Sequence, residues 1–124
     1  GGVLERFAQL KVAFLEAGLG WIAHWLERMD GHWEHMGWLI EKQISMAPSQ
    51  YFARQGYISG EPDESTMPAM AQLIGDDKII WASDYPHPDA VFPGAVAALK
   101  GRIDLPEESK SKILGENAVT LYGL

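Results

Sequence analysis

A carboxylate and an imidazole lie three positions apart in the segment WASDYPHPDA, at Asp84 and His87. Pro86 and Pro88 fix two backbone φ angles at about −65° and remove two hydrogen-bond donors, so they stiffen the chain around His87. A carboxylate here can ligate a divalent cation or accept a proton from water on that cation. An Asx turn, in which Asp84 accepts from its own backbone, fits the spacing equally well, and a single loop histidine is more often not a ligand. Both interpretations stay open on these residues.

Acidic residues also follow two other segments that are typical of buried strands. Glu16 ends the apolar run LKVAFLE, and Glu61 and Asp63 follow GYISG, just as Asp84 follows KIIWAS. In parallel α/β folds, functional side chains extend from the carboxyl ends of the strands. We therefore predict that Glu16, Asp84 and His87 contribute to one catalytic site, although acids are also common in loops.

The elements that must position these residues alternate along the chain. Apolar runs predict strands over Leu10–Glu16, Gly56–Glu61 and Lys78–Ser83. After the first strand, apolar residues at three- and four-residue steps predict a helix. The stripe of this helix comprises Leu19, Ile22, Leu26, Met29, Trp33 and Met36. Strands that alternate with helices predict an α/β fold with parallel strands and crossover helices.

Glycine and proline mark the predicted helix boundaries. Gly31 interrupts the first helix and is interpreted as a bend, whereas Gly75 is expected to end the helix PDESTMPAMAQLIG as its C-cap. The segment SMAPSQYFARQ is interpreted as irregular or as a single helical turn that starts near Pro48 and Ser49. Short helices are predicted in PGAVAALKG, PEESKSKILG and ENAVTLYGL.

The segment SDYPHPD after an apolar strand, with ENAVTLYGL at the end of the chain, resembles the end of the amidohydrolase-2 family. LKVAFLEAGLGWIAHWLERMD is similar to the sixth strand and following helix of that family, YISGEPDE to its seventh strand and IIWASDYPHPDA to its eighth. Members are metal-dependent hydrolases and decarboxylases of the amidohydrolase superfamily, including relatives of aminocarboxymuconate semialdehyde decarboxylase. The resemblance implies that residues 1–124 form a single partial domain, the C-terminal part (about strands 6–8 with their helices) of a TIM (β/α)8 barrel.

The resemblance also implies the chemistry of the site. A divalent metal, usually zinc, is expected at the carboxyl ends of the strands, where Asp84 would ligate it and take a proton from its water. His87 would shape the pocket, and Glu16 lies where the sixth strand meets the site. The family's first-strand H-x-H or E-x-H pair and its fifth-strand histidine have no counterpart in these residues. One carboxylate does not hold zinc at catalytic affinity, because such sites use about three protein ligands.

Three functions are compatible with these residues and this resemblance. The leading prediction is the C-terminal portion of a metal-dependent hydrolase that acts on a small molecule through metal-activated water. The alternative is a catalytically silent fragment or oligomerising remnant. In either case we expect a homo-oligomer, because copies of a three-stranded sheet can pair their exposed outer edges. A second alternative is a non-oxidative decarboxylase of the same family.

Histidines and tryptophans of the first helix suggest other sites. HWEH at 32–35, with His24 before it, has the H-x-x-H spacing of a metal motif. A polar helix edge is the favoured interpretation, because Gly31 weakens the helix at that point. Trp21 is the tryptophan nearest the strand exit, and we predict that it contacts substrate, whereas packing is favoured for most of the others.

Composition narrows the partners and the location. The 124 residues carry a net charge of −7 and no cysteine. This argues against a nucleic-acid partner, a disulfide framework and a thiolate metal site. No apolar run approaches the roughly 18–20 residues of a membrane span, and the start of the chain does not resemble a signal peptide. We therefore expect a cytoplasmic protein with a small-molecule substrate, no nucleic-acid partner and no membrane partner.

Overall fold

A parallel three-stranded sheet forms the centre of the protein. The computed structural model describes residues 1–39 and 43–124. The strands are β1 (Val12–Phe14), β2 (Gly56–Gly60) and β3 (Ile79–Trp81), in the order β1–β2–β3. Both pairings are parallel, and all five residues of β2 are buried. The predicted α/β fold with parallel strands is therefore confirmed, and both outer strands are shorter than the apolar runs that predicted them.

Helices connect the strands and close the chain. They are α1 (Val3–Arg6), α2 (Ile22–Met36), α3 (Pro48–Gln55), α4 (Met67–Ile74), α5 (Ala95–Lys100), α6 (Glu107–Ser111) and α7 (Asn117–Tyr122). Short 3₁₀ turns cover Gly37–Leu39 and Asp76–Lys78, and a π-helical turn covers Lys112–Glu116. Gly75, with a φ of 95°, follows α4 directly, as predicted for its end.

Two local predictions are wrong. The helix α2 continues through Gly31, so the predicted interruption at that glycine is absent. A glycine inside a helix costs about 1 kcal/mol, and burial of Ile22 and Leu26 on the same helix outweighs that cost. The segment predicted to be irregular or a single turn is the eight-residue helix α3. Its start is stabilised by the Gln50 side chain, which accepts a hydrogen bond from the Ala47 N–H at 3.0 Å.

The apolar core lies between the sheet and the helices on one of its faces. The strand register places Phe14, Ile58 and Ile79 in one row, so their side chains share that face. The buried cluster comprises Leu19, Ile22, Leu26, Phe52, Ile58, Met67, Met70, Ile79, Leu99, Leu105 and Ile113. The first half of the predicted α2 stripe is therefore in the core, whereas Met36 at the end of the stripe is exposed.

A polar network fixes the start of β3 to the C-terminal helices. The buried Asn117 side chain donates to the backbone oxygens of Asp76 and Ile79 at 2.7 and 2.6 Å. The Asp76 carboxylate accepts from Ser109 Oγ at 2.6 Å and from Lys112 Nζ at 3.2 Å. The amino end of β3 is thus held by paired polar groups.

Within residues 1–39 and 43–124, the outer edges of β1 and β3 have no strand partner. Such edges are open to pairing with another strand, and the expected homo-oligomer through them stays a prediction. In the same residues, no helix has the length and apolar character needed to cross a membrane.

Candidate metal centre at the carboxyl ends of the strands

Because the three strands are parallel, their carboxyl ends all lie at the same end of the sheet. We call this carboxyl end the edge, as distinct from the open sides of β1 and β3. Residues 15–21 follow β1, residues 61–66 follow β2 and residues 82–94 follow β3. These three loops carry Glu16, Glu61 and Asp84, the acids that mark the predicted strand exits. The edge therefore has the composition that the sequence predicts for a site.

Asp84 and His87 form a direct pair in the loop after β3. Asp84 Oδ2 lies 3.1 Å from His87 Nδ1, and the His87 N–H donates to the Asp84 backbone oxygen at 2.9 Å. The turn is thus closed by a backbone bond, and the Asp84 carboxylate faces the imidazole. The Asp84 side chain is 30% exposed and the His87 side chain 62% exposed, so both can be reached from solvent.

Backbone strain is confined to the same edge. Asp84 and Glu16 have φ angles of 54° and 61°, and no other non-glycine residue in the described part of the chain has a positive φ. The left-handed region costs an L-residue roughly 1–2 kcal/mol, and such strain is concentrated at functional sites. Both strained residues were singled out from the sequence as strand-exit acids.

Asp89 completes a group of potential metal ligands with Asp84 and His87. One ligand atom from each residue lies within 4.8 Å of the others. Two carboxylates and an imidazole suit Mn²⁺ or Zn²⁺, and about three protein ligands is the number that catalytic zinc sites use. The donor set therefore fits a divalent cation.

Asp89 was absent from the predicted site, although the spacing D-x-x-H-x-D within one loop could have identified it.

The H-x-x-H motif lies on a polar edge of α2, which is the interpretation that the sequence favoured. His24, His32 and His35 are exposed on that helix. Among residues 1–39 and 43–124, the group of three in the loop after β3 is the one arrangement of potential ligands close enough to hold a metal.

Glu61 adds negative charge beside this group. Burial raises the pKa of Glu61, and the charges of Asp84, Asp63, Glu64 and Asp89 raise it further. A carboxyl group with a raised pKa, next to other carboxylates and at a strand exit, marks an edge that lacks positive charge. Such an edge attracts a cation.

Glu16 and Trp21 are not part of the Asp84–His87–Asp89 group. Glu16 is exposed in the loop after β1. The Trp21 indole N–H donates to the Gly18 backbone oxygen at 2.9 Å, and its ring meets Phe14 edge-on with 6.1 Å between centroids. Trp21 therefore packs on the helix-covered face, where it lines an apolar cavity of about 420 Å³ with Phe14, Trp25 and other residues. The proposed roles of Glu16 and Trp21 stay predictions.

The sequence matches the profile of the family described as Amidohydrolase over residues 1–124. A curated relative, 2-amino-3-carboxymuconate-6-semialdehyde decarboxylase from Dictyostelium discoideum, is 27% identical over 125 residues. That match covers 100% of this chain and 34% of the relative. The chain therefore spans about a third of the relative's length.

Solved structures share the fold over almost the whole chain. The 5-carboxyvanillate decarboxylase from Sphingomonas paucimobilis superimposes with a TM-score of 0.81 at 26% identity, which covers 99% of this chain and 36% of that one. The 5-carboxyvanillate decarboxylase from Novosphingobium aromaticivorans, solved with manganese and a nitrobenzoic acid, gives a TM-score of 0.76 at 19% identity with the same coverage. The parallel strands and helices thus match part of a TIM-barrel amidohydrolase fold.

Proposed function

The chain belongs to the amidohydrolase family, and from this membership we propose that it forms part of a metal-dependent enzyme that decarboxylates a small carboxylated molecule without oxidation. The observation that carries this choice of reaction is the 27% identity, over all of the chain, with a decarboxylase. The 26% identity with 5-carboxyvanillate decarboxylase supports it. Because the chain spans about a third of these proteins, the proposal concerns the complete protein to which these residues contribute.

The residues proposed to hold the metal are Asp84 and Asp89, whose ligand atoms lie within 4.8 Å of each other and of His87. His87 is kept for proton transfer, and the remaining ligands would come from other parts of the complete protein. A divalent cation there would polarise substrate oxygens and lower the pKa of water that it binds. Manganese is the first metal to test, since it is bound in a structural relative, and zinc is the second.

Electrostatics explains why the proposed reaction needs a cation at this edge. The substrate of a decarboxylase carries a carboxylate, and Glu61, Asp84 and Asp89 already concentrate negative charge here. Two like charges at close range repel by several kcal/mol in a partly buried site. The acid-rich edge therefore suits an anionic substrate once a cation neutralises part of its charge.

The Asp84–His87 pair is suited to proton transfer. In decarboxylation, the bond from carbon to the carboxyl group breaks, CO₂ leaves, and a proton takes its place on the carbon. With the His87 Nδ1–H donating to Asp84 Oδ2, the carboxylate orients the ring and leaves Nε2 facing away from Asp84. We assign to His87 the transfer of this proton through Nε2, and to Asp84 the orientation of the ring in addition to metal binding.

Hydrolysis is the second candidate reaction. The partial exposure of Asp84 favours it, because a carboxylate in contact with solvent can accept a proton from an attacking water. The same residues then act on an ester or amide in place of a carboxylate.

The test compares both reactions in the full-length protein loaded with Mn²⁺. Release of CO₂ from carboxylated phenols is measured beside hydrolysis of esters and amides. Asp84→Asn is expected to lower kcat/KM for the active substrate by about 100-fold or more and to reduce bound manganese. Asp77→Asn, an exposed carboxylate at the opposite end of β3, is the matched control and should leave both unchanged.

Each outcome has a consequence. Hydrolysis without CO₂ release would favour the second candidate over the first. Unchanged turnover and metal content in Asp84→Asn would remove Asp84 from the site. A full-length protein without metal and without either activity would favour the catalytically silent alternative.

A further inference from the structure

We infer that Glu64 is a positioning residue: its carboxylate locks the loop after β1 to the loop after β2, and so sets the spacing of two walls of the active site. The functional part of this inference rests on the proposed function. The structural part concerns the two loops and is measurable without turnover.

The Glu64 carboxylate receives hydrogen bonds from both loops. Its Oε1 accepts from the N–H groups of Leu19 and Gly20, at 2.7 and 3.0 Å, across 45 and 44 residues of sequence. The same oxygen accepts from Thr66 Oγ1 at 2.7 Å, and Oε2 lies 3.4 Å from the Glu61 backbone nitrogen, which donates to it. Hydrogen bonds to an ionised acceptor are stronger than neutral ones, so this carboxylate is an effective bridge.

The loop after β1 is shaped to receive this carboxylate. A Cβ atom on Gly18 would lie 3.4 Å from Glu64 Oε1, and Gly18 has a φ of 64°, which side chains other than glycine rarely adopt. A Cβ atom on Gly20 would lie 3.4 Å from Thr66. Between these glycines, Leu19 is fully buried in the core. The bridge therefore joins the rim of the site to a buried point in the core.

A second contact ties the loop after β2 to the segment that follows α5. Arg102 donates to the backbone oxygens of Pro62 and Glu64 at 3.1 and 2.8 Å. Glu64 thus lies between two neighbouring segments and is held from both sides. Its loop carries Glu61, whose pKa responds to Asp84, so a shift of this loop changes the charge around the metal ligands.

The test uses the full-length, Mn²⁺-loaded protein with Glu64→Ala, Glu64→Gln and the control Ser65→Ala, whose side chain is exposed in the same loop. Glu64→Ala is expected to lower kcat/KM about 10- to 100-fold, mainly through kcat, as is typical for groups that orient a site. Glu64→Gln keeps one acceptor oxygen and should recover part of that loss. Ser65→Ala should stay within twofold of wild type.

Two measurements independent of turnover accompany the kinetics. Hydrogen exchange at the Leu19 and Gly20 amides should accelerate at least about 10-fold in Glu64→Ala, with exchange in β2 and β3 unchanged. The Trp21 indole N–H resonance, held by the Gly18 oxygen, should shift in the same variant. Unchanged exchange and an unchanged resonance would overturn the inference.

Failure of the inference about Glu64 can be distinguished from failure of the proposed function. Faster exchange with kcat/KM within twofold of wild type would make Glu64 a structural residue only and would also overturn the inference. A wild-type protein with no turnover would contradict the proposed function, and the exchange and resonance data would still decide whether Glu64 fixes the two loops.

Discussion

Two partly buried carboxylates at opposite ends of the sheet have opposite environments. Asp76, just before β3, and Glu61, just after β2, both lose part of their contact with water. Burial raises the pKa of Asp76, but hydrogen bonds from Ser109 and Lys112 outweigh burial and hold the pKa below its ordinary value. Burial also raises the pKa of Glu61, and there the neighbouring charges, Asp84 first among them, raise it further.

The difference separates a structural end of the sheet from a functional one. At the amino end, the carboxylate has a cation and a hydroxyl donor, and its ionised form stabilises the fold. At the carboxyl end, several acids repel one another and two residues adopt a strained backbone. Proteins accept such local instability where they bind ligands or carry out chemistry, so the contrast itself marks the site.

The largest effect on stability is expected from Asn117→Ala. The change leaves two carbonyl oxygens near the start of β3 without their donor, and should lower the free energy of unfolding by about 2–4 kcal/mol. Urea unfolding followed by circular dichroism measures this at pH 7. Thr120→Ala, in the same helix, removes an exposed hydroxyl and should change stability by less than about 0.5 kcal/mol. Equal losses in the two variants would contradict the special role of the amino end.

Asp76→Asn is expected to lower the free energy of unfolding by about 1–2 kcal/mol at neutral pH, since it removes a charged acceptor of two hydrogen bonds. The folded-state pKa of Asp76 is depressed, so its stabilisation is present above the ordinary value of 3.8 and is lost as the pH falls through the folded pKa. The difference between wild type and variant should therefore shrink in acid. Asp77→Asn, the exposed neighbour, should show neither effect; a pH-independent loss in Asp76→Asn would contradict the assignment.

The smallest effect, with the opposite sign, is expected from Glu61→Gln. The change removes repulsion and should raise the free energy of unfolding by about 0.5 kcal/mol at neutral pH without added metal. The folded-state pKa of Glu61 is raised, so wild-type stability falls as the pH rises from the ordinary value of 4.5 through the folded pKa, and the variant should lack this fall. Thermal unfolding between pH 4 and 7 checks it, with Glu34→Gln, an exposed acid on α2, as the control. A destabilised Glu61→Gln would show that the two ends do not differ as described.

Local pattern and composition were sufficient to predict the three strands and most helices. Continuous apolar runs predicted the buried strands β2 and β3. Three- and four-residue spacing predicted the buried face of the first helix through Leu19, Ile22 and Leu26. The helix α3 was underestimated, because its packing against the core through Tyr51 and Phe52 outweighs a polar sequence that is weakly periodic. The prediction that Gly31 interrupts α2 was wrong for the same reason, because tertiary packing outweighs the low helix propensity of one residue.

The site was predicted in part. Asp84 was identified because it follows a buried strand, and His87 because it lies between two prolines. The structure pairs the two side chains within one turn. The part played by Glu64 was not predictable, because its donors Leu19 and Gly20 lie more than forty residues away in sequence. The metal-ligand, catalytic and substrate roles given to Asp84, His87, Glu16 and Trp21 stay predictions until they are measured.

The sequence by itself determined the family, the strand and helix alternation and the acids at the strand exits, because these depend on residue type and on spacing along the chain. Only the tertiary structure decided which acids meet a cationic partner and which meet one another, as Asp76 and Glu61 do at opposite ends of the sheet. The physical reason is that Coulomb interactions and hydrogen bonds depend on distance in space, and the parallel sheet brings together loops that the sequence keeps far apart.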